Sequence, residues 1–352
     1  MLKSKSVKVI MEKTKHTNKE MTRPKPIPPL PEDCCGQGCV PCVNDIYETE
    51  LRLWKNECKQ LELESELTET SNKLIYRDSY TSFKIREIIP LTNDTFIYQF
   101  ELPYATARLS PNNLAIGQHL ILRLVLENHS DVDEDQIQVT GGSITRQYTI
   151  LSSPTAQGYF DIMIKLYKDG IASQMIRRWK VGDIAEFRGP FGEFAERFLT
   201  SSGKLNRTEF SHVVMLVTGT GIAPMIQLIK SLLDDEDCDI KLQLLCSFRT
   251  SSDILLEKEL RGFAEFWNFK ISYFISQSNV ELPAIPPVKF HYANIIQKRI
   301  NNEILSEYFA SHKIDLKLPK NLFLVCGTKS YESQILEYLR NSQVPANCLF
   351  KF

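Results

Sequence analysis

Val213-Val214-Met215-Leu216-Val217-Thr218-Gly219-Thr220-Gly221-Ile222-Ala223-Pro224-Met225 is a continuous apolar run, a glycine turn, and a segment opening with proline. A strand apolar at every position is buried on both faces, and proline near the start of the next segment suits the first turn of a helix. The same rhythm continues outward. A helix is predicted over Ala223–Leu233, strands over Lys241–Phe248 and Phe269–Ile275, and a helix over Asp253–Phe266 between them. Strand Leu322–Cys326, helix Tyr331–Leu339 and a terminal strand Cys348–Phe352 complete it. Alternating strands and helices predict a parallel sheet covered on both faces, an α/β domain over residues 208–352. Upstream the texture is different. Tyr80–Ile89, Thr95–Leu102, His119–Leu126, Ser143–Ile150, Tyr159–Tyr167 and Asp183–Arg188 read as strands separated by turn signals, with one helix near Ala172–Trp179. Antiparallel strands closed on themselves predict a small β-barrel over residues 76–200.

The first part of the chain is different again. Residues 1–30 hold eight Lys/Arg and two Glu and end in the proline-rich Pro24-Lys25-Pro26-Ile27-Pro28-Pro29-Leu30. Such a segment predicts a basic, disordered tail ending in an extended linker. A mitochondrial targeting peptide and a contact with anionic lipid compete with that reading. Residues 31–70 invert the sign, with ten Asp/Glu against three Lys/Arg, and place Cys34, Cys35, Cys39 and Cys42 within nine positions. Thiolates at that spacing fit a soft-metal site, zinc or iron–sulfur, while labile thiols or a local disulfide are the plain alternative. Leu51, Trp54, Cys58 and Leu61 at helical spacing predict a helix over Ile46–Leu67.

Composition excludes several classes. With 42 Lys+Arg against 43 Asp+Glu in 352 residues, no basic surplus points to a nucleic acid. No apolar run is long enough to span a membrane. Nine cysteines in this length do not form a secreted disulfide scaffold. A monomer in a reducing compartment is expected, cytoplasmic or, second, mitochondrial.

Ligands of open α/β sheets sit beyond the carboxyl ends of the strands. There Gly219 and Gly221 permit close backbone approach, Thr220 offers a hydroxyl, and Ala223-Pro224 begin a helix whose amides suit a phosphate. In the barrel, Arg146-Gln147-Tyr148-Thr149-Ile150-Leu151-Ser152 places Arg146 and Tyr148 on one strand face and Gln147 and Thr149 on the other. An arginine beside a tyrosine grips a diphosphate and packs on a ring; an edge-strand pair facing solvent is the alternative.

Taken together, Arg146-x-Tyr-Thr-x-x-Ser152, Gly158-Tyr-Phe-Asp-Ile-Met-Ile-Lys-Leu-Tyr167, Gly182-Asp183, Glu186-Phe-Arg-Gly-Pro190, Gly219-Thr-Gly-Ile-Ala-Pro-Met225, Cys326-Gly327 and terminal Phe350-Lys-Phe352 resemble the NADH–cytochrome b5 reductases of the ferredoxin reductase superfamily, in the same order. The resemblance covers residues 78–352 and implies an FAD-binding barrel followed by an NADH-binding α/β domain. It also implies cytochrome b5 as a haem partner that receives the electrons. By that likeness Arg146 binds the FAD pyrophosphate, Tyr148 lines the ribityl and ring region, and Thr149 lies at the reactive edge of the flavin, with Gln147 and Ser152 in the same motif. Met163, Lys165 and Lys168 fall on the second flavin strand, and Gly170, Ile171, Ala172 and Ser173 on a phosphate-holding turn. Gly219, Thr220, Gly221, Ala223, Pro224, Gly327 and Phe352 fall on the cofactor-binding turns. Cys326 is the nicotinamide-contacting thiol, in a positioning role. Asp253 would accept from the adenosine ribose and favour NADH, against the pull of Arg249; a helix N-cap is its local alternative. The segment at 33–42 resembles the oxidoreductase-like N-terminal motif.

This chain departs from the family pattern at Thr218, where Gly is usual, and at Ala223, where Thr is usual. Thr328-Lys329-Ser330-Tyr331 replaces a proline run. Two rival functions follow: reduction of another acceptor, such as a quinone, an iron–sulfur protein or a metal on its own cysteines, or a non-catalytic interaction protein that has lost flavin.

Overall fold

The computed structural model describes residues 24–30, 33, 41–60, 74–105, 107–108, 114–126, 142–153, 156–277 and 292–352. Strands β1 (Thr81–Pro90), β2 (Thr95–Glu101), β3 (His119–Leu126), β4 (Gly142–Thr149), β5 (Tyr159–Lys165) and β6 (Ile184–Phe191) pair antiparallel in the order β4-β3-β6-β1-β2-β5. The two edges meet at an antiparallel bridge between Ile150 and Ile162, so the sheet closes into the expected barrel. Strand alternation turns Phe83, Phe100, Phe160 and Phe187 inward, all essentially without exposure. Their rings meet edge to face, Phe100 and Phe187 at 4.9 Å and Phe83 and Phe160 at 5.0 Å, the arrangement aromatic quadrupoles favour. A short helix, α2 (Ile171–Ile176), closes one end, and Trp179 just beyond it stands edge-on to Tyr98.

Helix α3 (Phe194–Phe198) leads into a second sheet whose strands are all parallel: β7 (His212–Thr218), β8 (Lys241–Phe248), β9 (Phe269–Ile275), β10 (Asn294–Ile296), β11 (Asn321–Cys326) and β12 (Leu349–Lys351). The order is β10-β9-β8-β7-β11-β12, so the winding reverses between β7 and β11. Val213–Val217 are fully buried, as a strand covered on both faces demands. Helices α4 (Ala223–Leu233), α5 (Glu257–Phe263), α6 (Asn302–Ser311) and α7 (Lys329–Asn341) supply the cover.

Two expectations change. The helix foreseen over Asp253–Phe266 is split: a 3₁₀ turn at Ser251–Asp253, then α5, with Leu256 between them in the left-handed region at φ 55°. Ile254, Leu255 and Leu256 are all buried, and the chain leaves helical geometry to push this consecutive run into the core. The tail foreseen over residues 1–30 is extended over 24–30, but it lies on the barrel: Ile27 N donates to Ser143 O and Ser143 N to Lys25 O, both at 3.1 Å. Ser143 heads an edge strand with unpaired backbone groups, and the arriving segment satisfies them.

The helix leaving the cysteine element, α1 (Val43–Gln60), is fastened to the barrel by a buried charge. Glu50 lies 4% exposed against Arg188 of β6, itself 1% exposed. Arg188 donates twice to Glu50 Oε1, through Nε at 2.7 Å and through Nη2, and Tyr80 donates to Oε2 at 2.6 Å. The third arginine donor reaches Arg77 O at 2.9 Å. A buried ion pair survives only with its hydrogen bonds satisfied in this way. Of the four candidate metal ligands, Cys34, Cys35 and Cys39 lie outside the described residues; Cys42 is described as a free thiol.

Candidate functional site

The barrel and the parallel sheet share a packed interface, and the candidate residues border it. Leu151 and Met163 of the barrel are buried in the same apolar cluster as α4 and the strands of the parallel sheet. Gln227 of α4 donates to Ser152 O at 2.8 Å, and the Ser152 hydroxyl accepts from Asp161 N at 3.0 Å. Ser152 and Met163, expected to hold cofactor, thus join the two units. The turn Gly219–Ile222 lies against β5, so the glycine turn of the parallel sheet meets a strand of the barrel.

On β4, Arg146 and Gln147 are exposed while Tyr148 and Thr149 are half-buried. The Arg146 Nη1 donates to its neighbour's carbonyl, Thr145 O, at 2.7 Å, a local contact that leaves the rest of the guanidinium fork facing out. Burial pushes the Tyr148 phenol up to about 12, with Arg146 pulling the other way, so Tyr148 is an uncharged ring with a hydroxyl donor. At the α2 end, Lys168 and Ile171 are exposed and Tyr167 is 54% exposed, while Ala172 and Ser173 are buried. Ser173 is the third residue of this helix, after the N-cap Gly170, and its hydroxyl accepts from Tyr167 N at 2.9 Å. Arg177 braces the same loop by donating to Leu166 O and Tyr167 O, both at 3.1 Å. Lys165 is held by Asp94, 3.1 Å away.

These residues fit an FAD. Exposed cations at Arg146 and Lys168, bare apolar groups at Tyr167 and Ile171, and an uncharged Tyr148 are what a diphosphate joined to a large flat ring would cover.

His119, outside the quoted motifs, stands opposite Thr149 in the β3–β4 register, and its Nε2 is buried without a hydrogen-bond partner. Burial holds its titration down at about 4, so it is uncharged at neutral pH. The signal was available in the spacing: with β3 and β4 paired, the first residue of β3 faces the last of β4.

In the α/β domain, Gly219 adopts φ +53° with open space around it, where a backbone without a side chain can approach a ligand. Gly221 serves a different need. A Cβ there would stand 2.7 Å from the Cys326 carbonyl carbon and nearer still to its oxygen. The turns after β7 and β11 therefore touch across the reversal of strand order, where open α/β sheets take their ligands. Thr220 is half-buried on this turn, and Ala223 and Pro224 are buried as α4 begins. Thr218 Oγ1 donates to Ser247 O at 3.0 Å, and its methyl packs against Gly327. Gly327 N donates to Glu332 Oε1 at 3.0 Å. Burial, and Glu332 next, push the Cys326 thiol up to about 12, which keeps it protonated and suits positioning rather than attack. Asp253 Oδ2 accepts from Thr250 N at 2.9 Å and Thr250 Oγ1 at 2.8 Å, closing a capping box. The terminal Phe352 packs on Phe194 of α3 at 5.1 Å and donates its N–H to Val325 O at 3.0 Å.

Three family models match this chain: an oxidoreductase-like protein N-terminal model over residues 21–62, an oxidoreductase FAD-binding domain over 82–195, and an oxidoreductase NAD-binding domain over 215–335. A mouse (Mus musculus) protein named NADH-cytochrome b5 reductase-like is 32% identical over 338 residues, covering 94% of this chain and 96% of its own length. The human (Homo sapiens) protein of the same name is 31% identical over 335 residues, covering 93% and 94%. This chain belongs to the NADH–cytochrome b5 reductase-like family. It is an oxidoreductase with FAD-binding and NAD-binding domains. The cytochrome b5 reductase domain of Ulva prolifera nitrate reductase shares the fold, with a TM-score of 0.62 at 21% identity over 80% of this chain and 99% of that one. The reductase-like relatives span the N-terminal element as well as both domains, in keeping with the fastening of α1 to the barrel. Among the described residues, no group of three or more His, Cys, Asp or Glu is gathered for a metal, and no helix is long and apolar enough to cross a membrane.

Proposed function

We propose that this protein oxidises NADH and passes the electrons, through FAD, to a one-electron haem acceptor of the cytochrome b5 type. The observation carrying this reading is the shared interface: the Arg146–Thr149 strand end and the Gly219–Gly221 turn belong to two units locked together by Gln227, Leu151 and Met163. FAD held between the two units would supply the conversion of a two-electron hydride into one-electron transfers. The chain's own residues align and insulate. The guanidinium of Arg146 takes the diphosphate, and the Tyr148 ring packs on the cofactor and donates through its hydroxyl. His119, uncharged, offers the Thr149 side hydrogen bonding without charge. Leu151, Met163 and Phe194 keep water out of the contact. Cys326, a neutral thiol, packs where the nicotinamide enters, and Gly219 lets the nucleotide come close to the backbone. Asp253 keeps its ribose role alongside its cap to Thr250, giving NADH preference over NADPH. The names of the mouse and human relatives support the choice of acceptor.

The test is spectroscopic. Purified protein is expected to carry stoichiometric FAD whose absorbance NADH bleaches without oxygen, and then to reduce cytochrome b5 faster than a quinone. Protein that takes up no FAD on soaking sinks the enzyme reading, and faster quinone reduction replaces the acceptor. An Arg146→Ala protein that keeps flavin at wild-type affinity removes Arg146 from the site.

A further inference from the structure

The N-terminal segment touches both domains. Lys25–Ile27 run beside the start of β4, Pro26 is buried, and Ile27 packs on Gly142, where an added Cβ would fall 2.7 Å from Ile27 Cγ1 and 3.1 Å from Lys25 O. Pro28 and Pro29 follow, and proline-rich chain is stiff. Asp33 then folds back on Leu30 twice, its N–H donating to Leu30 O at 2.9 Å while its carboxylate accepts from Leu30 N at 2.9 Å. From this turn the Asp33 carbonyl accepts from Lys329 Nζ.

Lys329 is the first residue of α7 and the third after Cys326. A cation at a helix N-terminus opposes the helix dipole, so its placement calls for a compensating contact; the Asp33 carbonyl supplies one. The same first turn of α7 carries Tyr331, whose ring packs on Gly327, and Glu332, which accepts from Gly327 N and lies 3.5 Å from Lys351. Fixing Lys329 therefore fixes the wall beside Cys326-Gly327.

We propose that Lys25–Leu30 and Asp33 form a clasp from the barrel edge to the first turn of α7, and that Lys329 is a positioning residue holding the Cys326-Gly327 turn ready for the dinucleotide. The proposal rests on the NADH-binding reading of the parallel-sheet domain. Its occupant and its anchor are both in this chain, so substitutions at the two ends should act as one.

The experiment uses the flavin-loaded full chain with Gly142→Val, which evicts Ile27 from the barrel, and Lys329→Ala, alone and combined, with Lys329→Arg as the conservative variant. NAD⁺ affinity is read by calorimetry, and amide hydrogen exchange of Gly327–Glu332 is read without nucleotide. Each single variant is expected to weaken NAD⁺ binding about three- to tenfold, the scale of one partly exposed charge-assisted hydrogen bond, and to speed exchange in that turn. The double variant is expected to be no weaker than the weaker single, since both break one connection, and Lys329→Arg to bind as wild type. Wild-type affinity and exchange in Gly142→Val overturn the clasp, because a lysine acting on the nucleotide directly would not notice the barrel edge. Effects that multiply in the double variant overturn it too. If wild-type protein binds no NAD⁺, the functional reading falls, and the exchange comparison still decides the clasp.

Discussion

Gly221→Ala tests whether the contact between the turns after β7 and β11 sets the reaction geometry. The new methyl would stand 2.7 Å from the Cys326 carbonyl carbon and 3.0 Å from Gly327 N, where ordinary contacts begin at 3.4 Å. Both neighbours are backbone, so no side chain can swing away, and the turns must part by about 1 Å. Overpacking of this kind costs about 1–3 kcal/mol of stability. The larger consequence is for hydride transfer, since a misplacement near 1 Å costs on the order of 10²-fold in rate. The assay is anaerobic stopped-flow bleaching of the flavin by NADH, at flavin content matched to wild type. Gly262→Ala in α5 is the control: a Cβ there meets nothing within 4 Å, and replacing a helical glycine should stabilise by about 0.5–1 kcal/mol without touching the rate. Bleaching of Gly221→Ala at the wild-type rate, with unchanged stability, would refute the reasoning.

Glu50→Gln strands the Arg188 guanidinium in a site 1% exposed. It should cost about 3 kcal/mol in urea unfolding, and an Arg188→Met partner should recover most of it; additive losses would dismiss the pair as a unit. His119 is buried uncharged at about 4, below the 6.5 of an exposed histidine, so acid protonates the unfolded chain first. Its contribution is intact above pH 6.5 and falls as pH drops toward 4, by at most about 1.4 kcal/mol per pH unit, and His119→Gln should flatten that slope in denaturation series from pH 7 to 5. Cys326, pushed up to about 12, should resist iodoacetamide at pH 8 in peptide mapping by mass spectrometry, and rapid labelling would mean that a thiolate is present.

Where sequence and structure agree, the signal is local and periodic. Val213–Val217 announces itself by unbroken apolar character and Lys241–Phe248 and Phe269–Ile275 by apolar-rich runs, and all three are parallel strands. Helix α6 was equally legible but overlooked: Asn301 caps it through Ile304 N at 2.8 Å, and Ile304, Leu305, Tyr308 and Phe309 repeat at helical spacing and are buried. Strand β10, one exposed and two half-buried residues long, leaves too little pattern to find. The break at Leu256 was hidden because buried apolar residues in a row suit a helix as well as a loop plugged into a core. The Glu50–Arg188 pair had no sequence signal, since its partners lie 138 residues apart. The candidate residues Arg146, Tyr148, Gly219 and Gly221 were chosen from motif and alternation, both of them local signals. The commitment of Ser152, Met163 and Lys165 to protein contacts depends on how the two units and the neighbouring strands pack.

The seating of Lys25–Ile27 on β4 has a practical side. A recombinant fragment begun at Thr81, the natural cut if the barrel and sheet were taken as the whole enzyme, would bare the Ser143 amide and carbonyl on a strand end that this chain keeps covered. Such a fragment is expected to self-associate strand to strand as its concentration rises, and to lose the carboxylate that neutralises Arg188.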